Sequence, residues 1–344
     1  MRLNKVMLVG IFLLAILTLG AVSAQEGSSA DVLAVDSASS PVLGDGVSYD
    51  KTIYVNTTGD DSNSGSQTSP YATINKGISS VNASDNAVIY LSEGTFTGDN
   101  NTDLSINLAH KNYNGSLTFI GQGYDKTFID GEQMAPIFKS MSGDSIIVFK
   151  NIAFINGKSN TGGAITSNAV LTIDNCLFED NYATGSNGGA IYQRSNDFKV
   201  TNSIFRNNSV NSYGGSIFAS SMQNAQLMNC VFENSIARST YCTGAGAYID
   251  ASNSTIIKNN RFVNISTSGN AYDAALYANS GYNGNGIIVN NTFVNCNNNG
   301  KNGAVINING KNFVKDNAFV NSTSASKGQI FNGGSMNVII TFLN

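Results

Sequence analysis

The groups in this sequence that could do chemistry are a few carboxylates, one histidine and four thiols. Glu179, Arg206 and Glu233 each follow an equivalent phenylalanine in successive copies of a repeat. If successive copies stack about 4.8 Å apart, the two glutamates lie about 9–10 Å apart, at the edge of the range for inverting glycosidases. The simpler interpretation, which we favour, is an exposed ladder of alternating charge whose cross-strand pairs each contribute a few tenths of a kcal/mol.

Two further polar groups have a simpler interpretation. His110 is the only histidine and lies in a loop-like stretch before the regular repeats, so we predict no acid–base role for it. Asp60, Asp61 and Asn63 lie in a Gly/Ser-rich loop whose oxygen atoms suit Ca²⁺. We favour a solvated turn, and keep a calcium site near Asp60 and Asp61 as the second interpretation. The sequence predicts no other cofactor or metal.

The four cysteines do not suggest disulfides. Cys176 and Cys230 occupy the same repeat position two turns apart, which places them too far from each other for a bridge. Cys242 and Cys296 fall in different phases of the repeat. We predict free thiols that pack as small apolar residues. No catalytic constellation is found.

Composition restricts the fold class. There are 49 Asn, 35 Gly and only 3 Pro, charged residues make up 12% and hydrophobic residues 41%. This is too much Asn for helices and too much apolar content for disorder. Asn and Gly tolerate the left-handed backbone of tight turns, which suggests many short strands. The net charge of −4 argues against a nucleic-acid partner.

The first 24 residues resemble a signal peptide. Arg2 and Lys5 precede an uncharged apolar run at 6–19, and small residues at 22 and 24 suit a signal peptidase. The alternative is an uncleaved anchor, but the run is short for a bilayer span. We therefore predict export, to the medium or the cell surface, with no transmembrane segment after cleavage. Residues 25–50 are Ser/Ala/Asp-rich and predict a flexible leader.

A repeat fills the second half of the chain. Seven phenylalanines recur at spacings of 24, 27, 27, 30, 31 and 26 residues, most of them three residues after an Asn. Each is followed 11–16 residues later by a second mark such as Gly162-Gly-Ala-Ile165, with only short alternating runs between. Strands this short cannot bury a face alone, so the units must stack, one turn on the next.

These features predict an all-β, right-handed parallel β-helix over residues 51–344. Helical solenoids are excluded because the Asn/Gly-rich connections cannot form the helix that each of their repeats requires. A β-propeller is excluded because each blade needs about 40–45 residues, more than these repeats contain. Like residues stack into columns, namely a phenylalanine ladder and an asparagine ladder. The phenylalanines are Phe154, Phe178, Phe205, Phe232, Phe262, Phe293 and Phe319; the asparagines are Asn151, Asn175, Asn202, Asn229, Asn259 and Asn290.

We interpret residues 51–145 as a cap with irregular first turns, and 146–344 as regular repeats. Ser69 is predicted to be a helix N-cap, with Pro70 in the first helical position. Ile74, Ile78 and Val81 then lie on one face of this helix. A single amphipathic helix ahead of a solenoid is expected to cover its open apolar end.

The motifs carry a family resemblance. The 52–81 segment, with Ile-Tyr-Val-Asn and Gly-Asp-Asp-Ser-Asn-Ser-Gly, resembles the capped start of pectin-lyase-like β-helices. The Gly-Gly-Ala-Ile marks resemble the repeats of bacterial polymorphic outer-membrane proteins, and the Asn-rich whole is most similar to adhesin-like proteins of methanogenic archaea. Only Phe178 and Phe205 match the bacterial Phe-x-x-Asn pattern; the other five read Phe-x-Asn. Such a fold hosts both polysaccharide enzymes and adhesins.

The resemblance implies an adhesin-like protein that binds a glycan or protein of another cell. A polysaccharide lyase or glycoside hydrolase is the alternative, and an envelope spacer a third. In the Gly-Gly-Ala-Ile strand we place Ile165, Ile191, Ile217, Tyr248, Leu276, Val305 and Ile330 inside. Alternation then turns outward Thr166, Tyr192, Phe218, Ile249, Tyr277, Ile306 and Phe331.

The aromatic residues Tyr192, Phe218, Tyr277 and Phe331 thus form a candidate binding stripe. A covering loop or a bulge that turns the rings inward is the alternative. At the carboxyl end, residues 338–343 are strand-like and apolar with no cap after them. An open end of this kind predicts either a longer parent protein or end-to-end self-association.

Overall fold

The computed structural model describes residues 48–109, 115–194, 196–239, 242–267, 273–297, 304–322 and 328–332. The predicted signal peptide, residues 25–47 of the leader, His110 and the 338–343 segment lie outside the described residues. Within the described ranges, no helix is long and apolar enough to cross a bilayer.

One helix and many short strands make up this part of the chain. The amino-terminal elements are β1 (Lys51–Val55), α1 (Ile74–Ser79), β2 (Asn86–Leu91), β3 (Gly94–Thr97), β4 (Leu104–Ile106), β5 (Ser116–Ile120), β6 (Thr127–Asp130), β7 (Phe138–Met141) and β8 (Ile146–Lys150). The next are β9 (Ala153–Ile155), β10 (Lys158–Ser159), β11 (Ile165–Ser167), β12 (Val170–Asp174), β13 (Leu177–Glu179), β14 (Tyr182–Ala183), β15 (Ile191–Arg194), β16 (Phe198–Thr201), β17 (Ile204–Arg206) and β18 (Ser209–Val210). The last are β19 (Ile217–Met228), β20 (Val231–Glu233), β21 (Ile236–Ala237), β22 (Ala247–Lys258), β23 (Arg261–Val263), β24 (Ser266–Thr267), β25 (Asp273–Asn279), β26 (Asn285–Val289), β27 (Thr292–Val294), β28 (Ala304–Asn309), β29 (Asn312–Lys315), β30 (Ala318–Val320) and β31 (Ile330–Asn332).

The regular turns from β9 to β24 repeat the same four strands. Strand a begins at the Gly-Gly-Ala-Ile mark, strand b follows it, strand c carries the repeated phenylalanine, and strand d has two residues. In β19 and β22, strands a and b run on as one strand of twelve residues. Strands a and b belong to a 17-stranded sheet, c to a nine-stranded sheet and d to a five-stranded sheet. Each strand pairs in parallel with its equivalent in the next turn, so the predicted all-β parallel β-solenoid is confirmed.

The chain turns through left-handed residues at both ends of strand c. Asn175, before β13, has φ 51°, and Asp180, after it, has φ 56°. The equivalent Asn202 and Asn207 flank β17 with φ 52° and 56°. Asn tolerates this conformation better than other residues with a side chain. Two such corners in every turn contribute part of the high Asn content of the repeats.

The entry to strand a depends on glycine. Gly188 has φ +73°, and a Cβ there would collide with the carbonyl of Ile191. A Cβ on the next residue, Gly189, would collide with the carbonyl of Gly215 in the following turn. The Gly-Gly pair thus lets the chain reverse in close contact with the next turn.

The phenylalanines of strand c form one column through the core. From Phe154 to Phe293 they are fully buried. Neighbouring rings lie nearly parallel, with centroids 4.7 Å apart for Phe232 and Phe262 and 5.2 Å apart for Phe293 and Phe319. Each such pair contributes about 0.5–1.5 kcal/mol beyond the burial of its area.

The helix lies at the amino end, but its start was predicted wrongly. The N-cap is Thr73, whose hydroxyl accepts from the Lys76 amide, and Ser69 lies outside the helix. The residues around Pro70 instead run along the edge of β1, where Tyr71 N–H donates to the Tyr54 carbonyl. Ile74 and Ile78 are buried and belong to the same core as β1 and β2.

Candidate functional site

The outer face of strand a carries a row of aromatic rings. Register aligns Thr166, Tyr192, Phe218, Tyr248, Tyr277, Asn307 and Phe331 in successive turns. The inner column beside it contains Ile165, Ile191, Ile217, Ala247, Leu276, Ile306 and Ile330. Tyr192, Phe218, Tyr277 and Phe331, the residues of the predicted stripe, all occupy the outer column.

Three other positions of this strand were predicted on the wrong face. Tyr248 lies in the outer column, whereas Ile249 and Ile306 are buried in the core. Ala247 takes the inner position that was expected for Tyr248. A shift of one residue exchanges the two faces of a strand, and the less regular marks of these turns hid that shift. Tyr248 is therefore a member of the aromatic row that the sequence missed.

Four of these rings stack into a continuous outer ladder, formed by Tyr192, Phe218, Tyr248 and Tyr277. The centroid distances along it are 5.4, 4.6 and 4.5 Å, and the ring planes differ by 7°, 19° and 12°. Phe331 lies apart from the ladder, because Asn307 stands between it and Tyr277.

Stacking limits which parts of the rings in the outer ladder are accessible to a ligand. Phe218 is only 8% exposed, and Tyr192, Tyr248 and Tyr277 are half-buried. Tyr213 packs at a tilt on Tyr248, with centroids 6.3 Å apart. The inner faces of the rings are covered by each other, so a ligand meets mainly ring edges and the tyrosine hydroxyls. Tyrosine suits this position because it joins apolar area to a hydrogen-bonding group.

A polar column runs beside the outer ladder. Arg194, Ser220, Asp250, Asn279 and Asn309 occupy equivalent positions two residues further along strand a. Asn279 Nδ2 donates to Asp250 Oδ1 over 2.8 Å. Burial raises the pKa of Asp250 despite this bond, and burial, followed by the nearby Tyr277 and Asp250, raises the pKa of Tyr248. Aromatic edges, hydroxyls, amides and one carboxylate thus meet on one surface.

One of the two strand c glutamates forms an ion pair with Arg206. Arg206 Nε donates to Glu179 Oε1 over 2.7 Å, and Glu233 lies opposite Arg206 in the next turn. The bond to Glu179 raises the pKa of Arg206, with a smaller contribution from Glu233. Burial, then Glu179, raises the pKa of the neighbouring Asp180. The arginine lies between the two glutamates, which agrees with a charge ladder better than with an acid and base facing a substrate.

The acidic loop near the amino end uses its oxygens locally. Asp61 accepts hydrogen bonds from the amides of Ala72 and Thr73 and from the Thr73 hydroxyl. Asp60 accepts from the amide and hydroxyl of Ser62. Within the described residues, no three His, Cys, Asp or Glu side chains come together as metal ligands. Asp61 thus holds the loop against the start of α1, and Asp60 stabilises the turn within the loop.

All four cysteines are buried, and none of them is in a disulfide. Cys176 and Cys230 lie in one column two turns apart, with the Ser203 position between them. Burial raises the pKa of both to about 12, and that of Cys296 to about 11. Thiols with such high pKa values form little thiolate at neutral pH and are therefore poor nucleophiles.

The asparagine ladder lies on the outside of the corner before strand c. Asn229, Asn259 and Asn290 each donate through Nδ2 to the Oδ1 of the asparagine one turn earlier, over 2.9–3.1 Å. Asn175 likewise donates to Asn151. Asn202 departs from the predicted pattern, because its amide donates to Asp174 Oδ1.

A second, buried set of asparagines was missed. Asn260 and Asn291 follow the outer ladder asparagines directly, and Asn291 Oδ1 accepts from both the backbone and side-chain amides of Asn260. Asn181 and Asn208 do the same at the other corner. For Asn181 and Asn208 the sequence did contain a signal. An Asn two residues after the phenylalanine is the left-handed corner residue, and an Asn three residues after it is buried.

A polar cavity of about 690 Å³ lies beside α1. Asn75, Asp99, Asp103 and Met134 contribute to its lining. Asp103 is already paired with Lys139, at 2.6 Å. The cavity therefore offers amides and partly neutralised acids, without the aromatic surface of strand a.

Comparisons with known proteins give similarity over part of the chain or at low sequence identity. No family model matches the chain. A probable autotransporter, YfaL, of Escherichia coli (strain K12) is 30% identical over 146 residues, which cover 37% of this chain and 11% of that protein. Among solved structures, a rhamnogalacturonan lyase is similar with TM-score 0.40 and 17% identity, covering 86% of this chain and 85% of the other. A pectate lyase, Pel9A, is similar with TM-score 0.35 and 16% identity, covering 85% and 78%.

Proposed function

We propose that this protein is an exported, adhesin-like binding protein of the cell surface that engages a glycan or a protein of another cell through strand a. The observation that carries the proposal is the outer ladder Tyr192–Phe218–Tyr248–Tyr277 with its polar column. Aromatic residues in a row on an outer face, next to amides and a carboxylate, suit recognition of a partner with both apolar and hydroxyl surface. The similarity to a probable autotransporter supports a surface or secreted location.

The alternative function, a polysaccharide lyase or glycoside hydrolase, has less support from the geometry. Its best acid pair, Glu179 and Glu233, has Arg206 between the two carboxylates, with one of them in a direct ion pair. Loss of uronan-degrading activity in a Glu233→Gln variant would favour this alternative over binding alone.

The proposal is tested by binding of the purified protein to glycan arrays and to cells. A Tyr192→Ser, Tyr277→Ser variant removes the two ends of the outer ladder, and we expect about tenfold weaker binding. The matched control is Tyr182→Ser, a half-buried outward tyrosine on strand d. Equal binding by both variants and the unmodified protein would contradict the proposal, as would equal loss in the control.

A further inference from the structure

The outer face of strand b changes character along the solenoid. Its middle outward column reads Thr172, Lys199, Gln226, Ile256, Ile287 and Phe313 in six successive turns. The first three side chains are polar and the last three are apolar. This face lies on another strand than the outer ladder, and nothing in the proposed function uses it.

Two of the three apolar members are exposed. Ile287 is 39% and Phe313 43% exposed, and Ile256 is half-buried. The alternating positions Ile288 and Val314 are fully buried. The core therefore does not need these outward side chains, and an exposed apolar strip of this kind usually marks an interaction site.

Lysines flank the apolar strip on both sides. Lys258 and Lys315 lie in the outward column on one side, and Lys311 precedes Phe313 by two residues on the other. All three are exposed. Lys315 shares its charge with Asp316 at 3.4 Å, whereas Lys258 and Lys311 make no ion pair with any described residue. Lys258 and Lys311 thus place two positive charges beside the apolar strip, in a chain whose net charge is −4.

We propose that this lysine-flanked strip docks on a membrane surface that contains anionic lipids. Lysines at the rim attract anionic headgroups, and isoleucine and phenylalanine between them enter the boundary between headgroups and acyl chains. The arrangement, apolar in the middle and cationic at both sides, is that of an interfacial membrane-binding surface. It gives the protein a means of attachment to a membrane that is independent of the outer ladder.

Other partners fit this surface less well. An acidic peptide cannot add as a strand at β26, because both edges of β26 already pair, with β22 and β29. An anionic polysaccharide would use the lysines and Phe313, but it would leave Ile256 and Ile287 without an apolar partner. A bilayer accounts for both kinds of side chain at once.

Vesicle flotation of the exported protein, recovered from cells that produce it, tests the proposal. We expect it to float with phosphatidylcholine vesicles that contain phosphatidylglycerol, much less with phosphatidylcholine alone, and less as salt is raised. A Lys258→Gln, Lys311→Gln variant should bind about tenfold more weakly. Phe313→Ser should also weaken binding, with the far-UV circular dichroism unchanged because the ring lies outside the core.

The matched control is Lys199→Gln, which removes an exposed lysine from the same column in the polar turns. Its flotation should equal that of the unmodified protein. Absence of binding to the anionic vesicles would overturn the proposal, as would equal flotation of the double variant. Binding to a soluble anionic polysaccharide without binding to vesicles would also overturn it, in favour of a glycan at this face. The Tyr192→Ser, Tyr277→Ser variant should float normally, so that failure here is separate from failure of the proposed function.

Discussion

The rings of Tyr248 and Tyr277 lie face to face on the outer side of adjacent turns, with centroids 4.5 Å apart and planes 12° from parallel. This is the tightest contact of the outer ladder, and it occurs where Asp250 and Asn279 form a hydrogen bond beside the rings. Stacking and this hydrogen bond restrain the side chains before any ligand arrives. Less side-chain freedom is then lost on binding, which favours affinity.

The middle of the outer ladder should matter for stability more than its ends. Phe218 is stacked on both sides, so Phe218→Ala should lower the free energy of unfolding by about 2 kcal/mol. Tyr192 is stacked on one side by Phe218 and faces Thr166 on the other, so Tyr192→Ala should cost about half as much. Urea unfolding of both variants measures the difference. Equal costs would show that the stack does not shield Phe218.

The carboxylate of Asp250 should destabilise the protein at neutral pH. Its pKa is raised in the folded state, so the folded protein binds this proton more tightly than the unfolded chain does. The protonated side chain therefore stabilises the fold at pH values below the ordinary pKa of aspartate. This contribution is lost as the pH rises through the raised pKa of Asp250 in the folded protein. Asp250→Asn should therefore raise the melting temperature at pH 7 and have little effect near pH 3. A variant that melts lower at pH 7 would contradict this assignment.

The two kinds of corner asparagine should respond differently to substitution. Asn291→Ala leaves the buried amides of Asn260 without their acceptor and should cost about 2 kcal/mol or more. Asn290 is exposed with φ 55°, so Asn290→Gly should cost only a few tenths of a kcal/mol, while Asn290→Ala should cost about 1 kcal/mol from backbone strain. Guanidinium unfolding of the three variants measures how much each substitution lowers the free energy of unfolding. A larger cost at Asn290→Gly than at Asn291→Ala would refute the distinction.

The thiols should be inert in the folded protein. Burial raises the pKa of Cys176 and Cys230 to about 12 and of Cys296 to about 11, so little thiolate forms at neutral pH. Iodoacetamide at pH 8 should leave the native protein unmodified and label four cysteines after denaturation. Mass spectrometry measures the number of alkylated cysteines in each sample. Rapid labelling of the native protein would place at least one thiol at an open surface.

Sequence patterns predicted the repeating turn well because the same side chain recurs at each level of the stack. The spacing of Phe154, Phe178 and Phe205 was enough to predict a buried column. The predicted register of strand a was wrong at Tyr248, where Ala-Gly-Ala-Tyr replaces Gly-Gly-Ala-Ile. Hydrophobicity alone cannot tell which of two adjacent apolar residues faces inward.

The start of α1 was predicted wrongly for a related reason. Ser69-Pro70 is a normal helix start when only local preferences act. In the fold, Tyr71 pairs with β1, and this non-local contact moves the start of the helix to Thr73. The buried asparagines were missed because a polar residue next to a left-handed corner has the same sequence pattern as an exposed turn residue.

The corners on either side of strand c have a consequence for how such a chain changes in evolution. Each turn contacts the next through equal positions, such as Asn259 with Asn229 and Phe262 with Phe232. A tandem duplication or deletion of one complete repeat therefore brings equivalent positions together again. Gain or loss of one turn through unequal recombination would then change the number of rings in the outer ladder while keeping the parallel pairing of the remaining turns.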